Sequence, residues 1–299
     1  ISKKSSLIPR VKIFSRVLTS SLTVGFGGSV GLEAPMVMTG SAIGSNVGSL
    51  MHLSAKKRTL LIGCGAAGAI SAIFGAPIGA VIFAIEVILM EISTASFIPL
   101  LLASVTGSLT SMLLIGEDSL FNFNLQENFQ AAHMPYYLLL GIITGMVSLY
   151  FSKTVLVTEK LMAALGSYWV RILCGGAILG LIVFLLPPIY GEGYETMNVL
   201  IEGDATRVLE KSPFFSSLED SQIVLLFLMG VILIKPIASA ITIGAGGSGG
   251  IFAPSLFVGG ITGFLFAYSK NLMGFHIELP LAHFVLVAMC GVMAGVQHS

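Results

Sequence analysis

The chain carries one twenty-residue pattern twice. Residues 25–44 read GFGGSVGLEAPMVMTGSAIG, and residues 244–263 read GAGGSGGIFAPSLFVGGITG. At a constant offset of 219, nine positions are identical: Gly25/Gly244, Gly27/Gly246, Gly28/Gly247, Ser29/Ser248, Gly31/Gly250, Ala34/Ala253, Pro35/Pro254, Gly40/Gly259 and Gly44/Gly263. Each copy runs from a glycine-rich turn through a proline into an apolar stretch. Proline suits the first turn of a helix, where its missing N–H has no intrahelical acceptor to lose. The pattern therefore predicts two helix N-termini. Such an end presents backbone N–H groups and the positive end of the helix dipole, a setting that attracts anions. One copy alone reads equally as a device for close helix packing. Two matched copies point to an anion pathway between repeats.

The setting for these helices is a membrane. Hydrophobic residues make up 55% of the chain and charged residues 10%, against about 25% charged in soluble domains. Mean hydropathy is +0.95. Zero formal net charge argues against a nucleic-acid partner. Apolar stretches with helical period fall at 13–26, 35–51, 58–74, 77–91, 96–115, 134–150, 168–187, 222–243, 253–268 and 281–297. A full span needs about 20 residues, and several of these are shorter or broken by Gly and Pro. Broken helices at membrane depth line protein-enclosed cavities. The expected fold is an all-α membrane protein of tilted and broken transmembrane helices in two repeats, inverted by analogy with other transporters and truncated at both ends. It forms a single ion-transport domain over 1–299, with a first repeat at about 1–130 and a second at about 134–299 that lacks its end. A second echo, CGAAG at 64–68 against CGVMAG at 290–295, fits the same duplication. Basic residues group at 3–16, 56–58 and 153–171, and acidic ones at 117–127 and 192–220. The positive-inside rule places the basic groups in the cytoplasm.

Glu33 is the sharpest residue. A carboxylate in a membrane segment costs roughly 2.5–3.5 kcal/mol on insertion scales. At a positive helix end it competes with a bound anion, which makes it a candidate gate; the alternative is a fixed N-terminal cap. The N–H groups of Leu32, Glu33 and Ala34 form one candidate anion-binding edge, and those of Gly250, Ile251, Phe252 and Ala253 the other. Phe252 also reads as lipid-facing bulk. Glu86 and Glu91 are candidate proton relays or structural carboxylates near a helix end. Lys235, in VILIKPIAS, is either snorkelling or paired, or draws anions inward. The three cysteines read as buried thiols, with no disulfide framework or CxxC spacing. The histidines show no ligand spacing, so neither a metal nor an organic cofactor is expected. HExxH, GxSxG and GxxxxGK[ST] do not occur, which removes the usual hydrolase and NTPase readings. A GxGxxG match at 244–249 lacks the surrounding βαβ unit that a dinucleotide site needs.

At Gly31-Leu32-Glu33-Ala34-Pro35 and Gly250-Ile251-Phe252-Ala253-Pro254 the chain resembles the CLC family of chloride channels and chloride/proton antiporters. The family's G-K/R-E-G-P signature keeps its glutamate and proline here, and its GxFxP signature matches in full. The stretch from Ala66-Ala67-Gly68 through Ala76-Pro77 to Phe83-Ala84-Ile85-Glu86 is similar as well. The resemblance implies that Glu33 is the external gating glutamate and that the N–H groups of Ile251 and Phe252 bind the central anion. It places the family's GSGIP serine upstream of residue 1 and its pore tyrosine downstream of residue 299. It implies a multi-pass protein of the plasma (cell inner) membrane, and a homodimer with one chloride pathway per subunit. Proton-coupled members carry a glutamate directly after the position of Glu86, where this chain has Val87. Valine carries no proton, so the expectation is channel-like chloride transport gated by Glu33. A chloride/proton or fluoride/proton antiporter using another carboxylate is the alternative. A non-transporting membrane scaffold or intramembrane enzyme is the rival of a different class.

Overall fold

The computed structural model describes residues 6–88, 94–116, 130–203, 207–210, 212, 221–274 and 277–298. Every regular element among them is a helix. The chain divides into two compact units, residues 1–22 with 32–122, and residues 23–31 with 123–299.

The first unit holds most of α1 (Val11–Gly25), then α2 (Glu33–Leu50), α3 (Ala55–Phe74), α4 (Pro77–Val87) and α5 (Thr94–Ile115). Gly75, at φ +62°, stops α3 in the left-handed conformation, and Pro77 opens α4 in the first-turn position. α2 and α3 touch backbone to backbone. A Cβ at Gly40 would strike the Gly65 carbonyl, and one at Gly44 the Leu61 carbonyl. With no bulk apolar effect driving helices together in lipid, such close van der Waals approach is what holds them. Cys64, Ala67, Val81, Ala84 and Leu100 form the core. The segment before α1 is tied to α2: Ser45 Oγ donates to the Ser6 carbonyl at 2.8 Å and accepts from the Ile8 N–H at 2.9 Å.

The second unit holds α6 (Met134–Ala164), α7 (Tyr168–Leu185), α8 (Tyr194–Ile201), α9 (Arg207–Glu210), α10 (Ser221–Gly244), α11 (Phe252–Leu272) and α12 (Leu281–Gln297). Its central pair repeats the packing of α2 and α3. A Cβ at Gly259 would meet the Ala288 carbonyl, and one at Gly263 the Phe284 carbonyl. These glycines are the repeat partners of Gly40 and Gly44. Leu61 and Gly65 therefore correspond to Phe284 and Ala288. The echo of Cys64-Gly65 in Cys290-Gly291 is out of register with this packing by three residues. Runs of small residues align in more than one frame, and only the contacts select one. Gly291 and Gly295 instead face Thr144 and Ser148 of α6.

Among the described residues, six helices are long and apolar enough to cross a membrane: Ala55–Phe74, Ser96–Ile115, Ala131–Ala164, Tyr168–Leu185, Gln222–Gly244 and Phe252–Leu272. α11 is the most enclosed of them and α7 the least. Trp169, Leu173, Leu181 and Phe184 of α7 are all exposed, a surface that only lipid or another apolar helix can cover. The protein is an integral, multi-pass membrane protein. Two expectations change. α6 runs on to Ala164 instead of ending near 150, because Lys153, Glu159 and Lys160 interrupt the apolar run yet are good helix formers. Of the cysteines only Cys64 is buried; Cys174 and Cys290 are exposed. An apolar surrounding sequence implies burial in a soluble protein, whereas in membrane helices the outward faces are apolar as well.

Candidate functional site

The two glycine-rich turns make matching backbone bonds, and both lie in the second unit. α1 ends at Gly25 and α10 at Gly244. Gly27 and Gly246 follow in the left-handed region, at φ +96° and +102°, which side chains resist. The Gly28 N–H then returns to the Thr23 carbonyl at 2.8 Å, and the Gly247 N–H to the Thr242 carbonyl at 2.9 Å. This is the six-residue closure of a glycine-terminated helix.

The threonines also cross over. The Ser248 N–H donates to Thr23 Oγ1 at 3.0 Å, and the Ser29 N–H donates to Thr242 Oγ1 at 3.2 Å. Two residues on, Gly31 and Gly250 form an antiparallel bridge with both N–H···O distances at 2.9 Å. The two turns thus pair through reciprocal bonds, as about a local two-fold, and run in opposite directions where they meet. Val30 is fully buried and fills the space that a Cβ on Gly249 would need.

The symmetry breaks at the serine hydroxyls. Ser29 is fully buried and its Oγ donates to the Ile189 carbonyl at 2.6 Å. Ser248 Oγ is buried without a hydrogen-bond partner among the described residues. The Ile189 carbonyl also accepts from Lys235 Nζ at 3.0 Å, and that ammonium donates to the Gly191 carbonyl at 2.8 Å. It further lies 4.7 Å from the centre of the Phe257 ring. Lys235 is fully buried, so it does not snorkel. It ties the 189–191 loop to α10 and α11 directly behind the Ser29 turn.

The two helices whose starts carry the candidate anion-binding residues, α2 and α11, each begin two residues after the bridge. In α2 the cap position is Leu32, and Glu33 is the first helical residue, 2% exposed. In α11 the cap position is Ile251 and Phe252 opens the helix. Neither cap is closed by a side chain. The first helical bonds run from the Met36 N–H to the Leu32 carbonyl and from the Ser255 N–H to the Ile251 carbonyl. Leu32, Ile251 and Phe252 are part-buried, Ala253 is buried and Ala34 is exposed. One expected anion ligand is corrected. The Gly250 N–H is consumed by the Gly31 carbonyl, so this residue holds the turn and offers no proton to an ion. Glu86 sits exposed in the last turn of α4 with Val87 beside it. Glu91 lies outside the described residues. Thr23 and Thr242 were not singled out from the sequence, although the repeat extends to them, TVGFGGS against TIGAGGS.

The whole chain, residues 1–299, matches the family model described as voltage gated chloride channel. It is 29% identical to chloride channel protein CLC-e of Arabidopsis thaliana, over 97% of this chain and 43% of that protein. It is 26% identical to the voltage-gated ClC-type chloride channel ClcB of Escherichia coli, over 94% of this chain and 63% of that one. The chain thus spans about half the length of these curated relatives. Its fold is similar to that of a CLC-type fluoride/proton antiporter, with TM-score 0.77, 24% identity, and coverage of 98% of this chain and 68% of that one. A slow cyanobacterial Cl−/H+ antiporter gives TM-score 0.74 and 20% identity over 96% of this chain and 72% of that one. Matched from end to end, and built around two glycine-rich turns that pair across a local two-fold, the chain belongs to the CLC family of voltage gated chloride channels.

Proposed function

We propose that the chain is part of a chloride transporter in which Glu33 gates the anion path. The helix starts at Leu32–Ala34 and Ile251–Ala253 supply the attraction. The observation that carries this reading is the reciprocal Gly31–Gly250 bridge with its crossed threonine bonds. It ties together the two turns that precede these helices in the chain. Each helix start carries about half a positive charge, and neither needs a lysine or arginine to do so. An anion can be held that way without being bound too tightly to leave. The names of the channel relatives support chloride as cargo. Val87 supports channel-like passage with little or no proton coupling. Assembly as a homodimer in the plasma membrane follows the family.

A second reading, chloride/proton or fluoride/proton exchange, draws on the antiporters that share the fold and on Glu86 as a substitute carboxylate. The complete protein in liposomes, with chloride and pH electrodes in one sample, separates them. We expect chloride to run down its gradient with the proton trace flat, and Glu33→Ala to raise that flux. Uphill proton movement driven by chloride rejects the uncoupled reading. A flux insensitive to Glu33→Ala rejects the gate, and an absence of any anion flux favours a scaffold.

A further inference from the structure

The second unit contains a cavity of about 520 Å3 walled by α6, α10 and α11. Its lining is apolar, with Leu139, Met229, Leu265 and Phe266 among its walls. One charged group reaches it. Lys270, in the last turn of α11, is 8% exposed, and its Nζ has no hydrogen-bond partner among the described residues. That ammonium lies 5.4 Å from the centre of the Tyr136 ring, which also lines the cavity. The ring face and the negative end of the α11 dipole both favour a cation here. Neither gives its three N–H groups a hydrogen-bond acceptor. A buried ammonium left in that state is costly, and an anionic group in the cavity would complete it.

This place is separate from the bridged turns. Lys270 is 18 residues beyond Phe252 on one helix, about 27 Å along its axis at 1.5 Å per residue. The three walls are all helices able to span a membrane. Leu139 and Met229 are 49% and 54% exposed, so the cavity is open along the outer faces of α6 and α10, two helices long and apolar enough to cross a membrane. Its volume falls within the roughly 300–1,000 Å3 of small-ligand sites. We propose that the cavity binds an anionic amphiphile from the bilayer, its alkyl chain against Leu139, Met229 and Leu265 and its head group on Lys270 Nζ. The shared chemistry is an oxyanion on a hydrocarbon tail, either a phospholipid phosphate or a fatty-acid carboxylate.

Native mass spectrometry of the complete detergent-purified protein tests this without reference to transport. The protein is titrated with dioleoyl phosphatidylglycerol, with oleate, and with methyl oleate as the uncharged control. We expect one saturable adduct per chain with one or both anionic probes, and none with methyl oleate. Whichever anion is retained identifies the source of the head group. Lys270→Gln should weaken that adduct by about tenfold or more, the value of one hydrogen bond to a charged group, and Lys270→Arg should keep it. Leu265→Trp, which fills the cavity, should abolish it with Lys270 intact. If Leu265→Trp fails to fold, the Gln and Arg pair still decides. Equal retention of methyl oleate, retention indifferent to Lys270→Gln, or no saturable adduct because other protein fills the cavity, each overturns the proposal.

Discussion

Ser29 and Ser248 occupy matched positions in two matched turns, yet their hydroxyls differ, and that difference is measurable. Ser29→Ala removes a buried 2.6 Å bond to the Ile189 carbonyl. The carbonyl is not orphaned, because Lys235 Nζ still donates to it at 3.0 Å. The cost is therefore that of one net hydrogen bond, about 0.5–1.5 kcal/mol, without the larger penalty of a stranded acceptor. Ser248→Ala removes a buried hydroxyl that has no partner, so it should be neutral or stabilising, by about 1 kcal/mol at the lower edge of the usual penalty. A gap near 1.5 kcal/mol corresponds to roughly 3–6 °C in Tm, taking about 2–4 °C per kcal/mol. Thermal unfolding of the complete protein in one detergent and at one scan rate, with Ser29→Ala below wild type and Ser248→Ala at or above it, is the expected result. The double variant Ser29→Ala with Lys235→Met strands the Ile189 carbonyl. It should lose about 1–3 kcal/mol more than the two single changes summed. Equal losses at the two serines, or a larger loss at Ser248, would refute the asymmetry.

Two further outcomes follow from backbone geometry. Gly27→Ala and Gly246→Ala force a side chain into the left-handed region and should each cost about 1–3 kcal/mol in the same unfolding assay. An unchanged Tm for both would mean the turns do not need that conformation. Gly263→Ala places a methyl against the Phe284 carbonyl and should cost about 1–3 kcal/mol by overpacking. Gly180→Ala in α7 meets nothing within 4 Å and should stabilise by about 0.5–1 kcal/mol. Identical shifts for these two would show that α11 and α12 are not in backbone contact.

Much of the fold was legible because membrane helices are written in composition and period. The starts of α2 and α11 followed from Gly and Pro punctuation, and α4 from Ala76-Pro77. The end of α6 was not legible, since charged helix formers look like loop to a hydropathy reading. α8 was missed because its residues fall in an acid-rich stretch. The thiols of Cys174 and Cys290 were misread because sequence does not separate a lipid-facing face from a buried one. The alignment of Cys64 with Cys290 failed because small residues match too easily in any frame.

By itself the sequence determined that this is a membrane helix protein with a duplicated glycine-rich motif, since repeat identity, Pro placement and missing charge are properties of the string. Only the tertiary structure decided that the two turns pair antiparallel, that Thr23 and Thr242 each accept from the serine N–H of the other turn across 225 and 213 residues, and that the Gly250 N–H is already spent. It alone decided that Lys235 is held by the Ile189 and Gly191 carbonyls. The physical reason is that hydrogen-bond partners are chosen by proximity in space. A carbonyl, which every residue carries, leaves no mark in the sequence to say which donor it will meet.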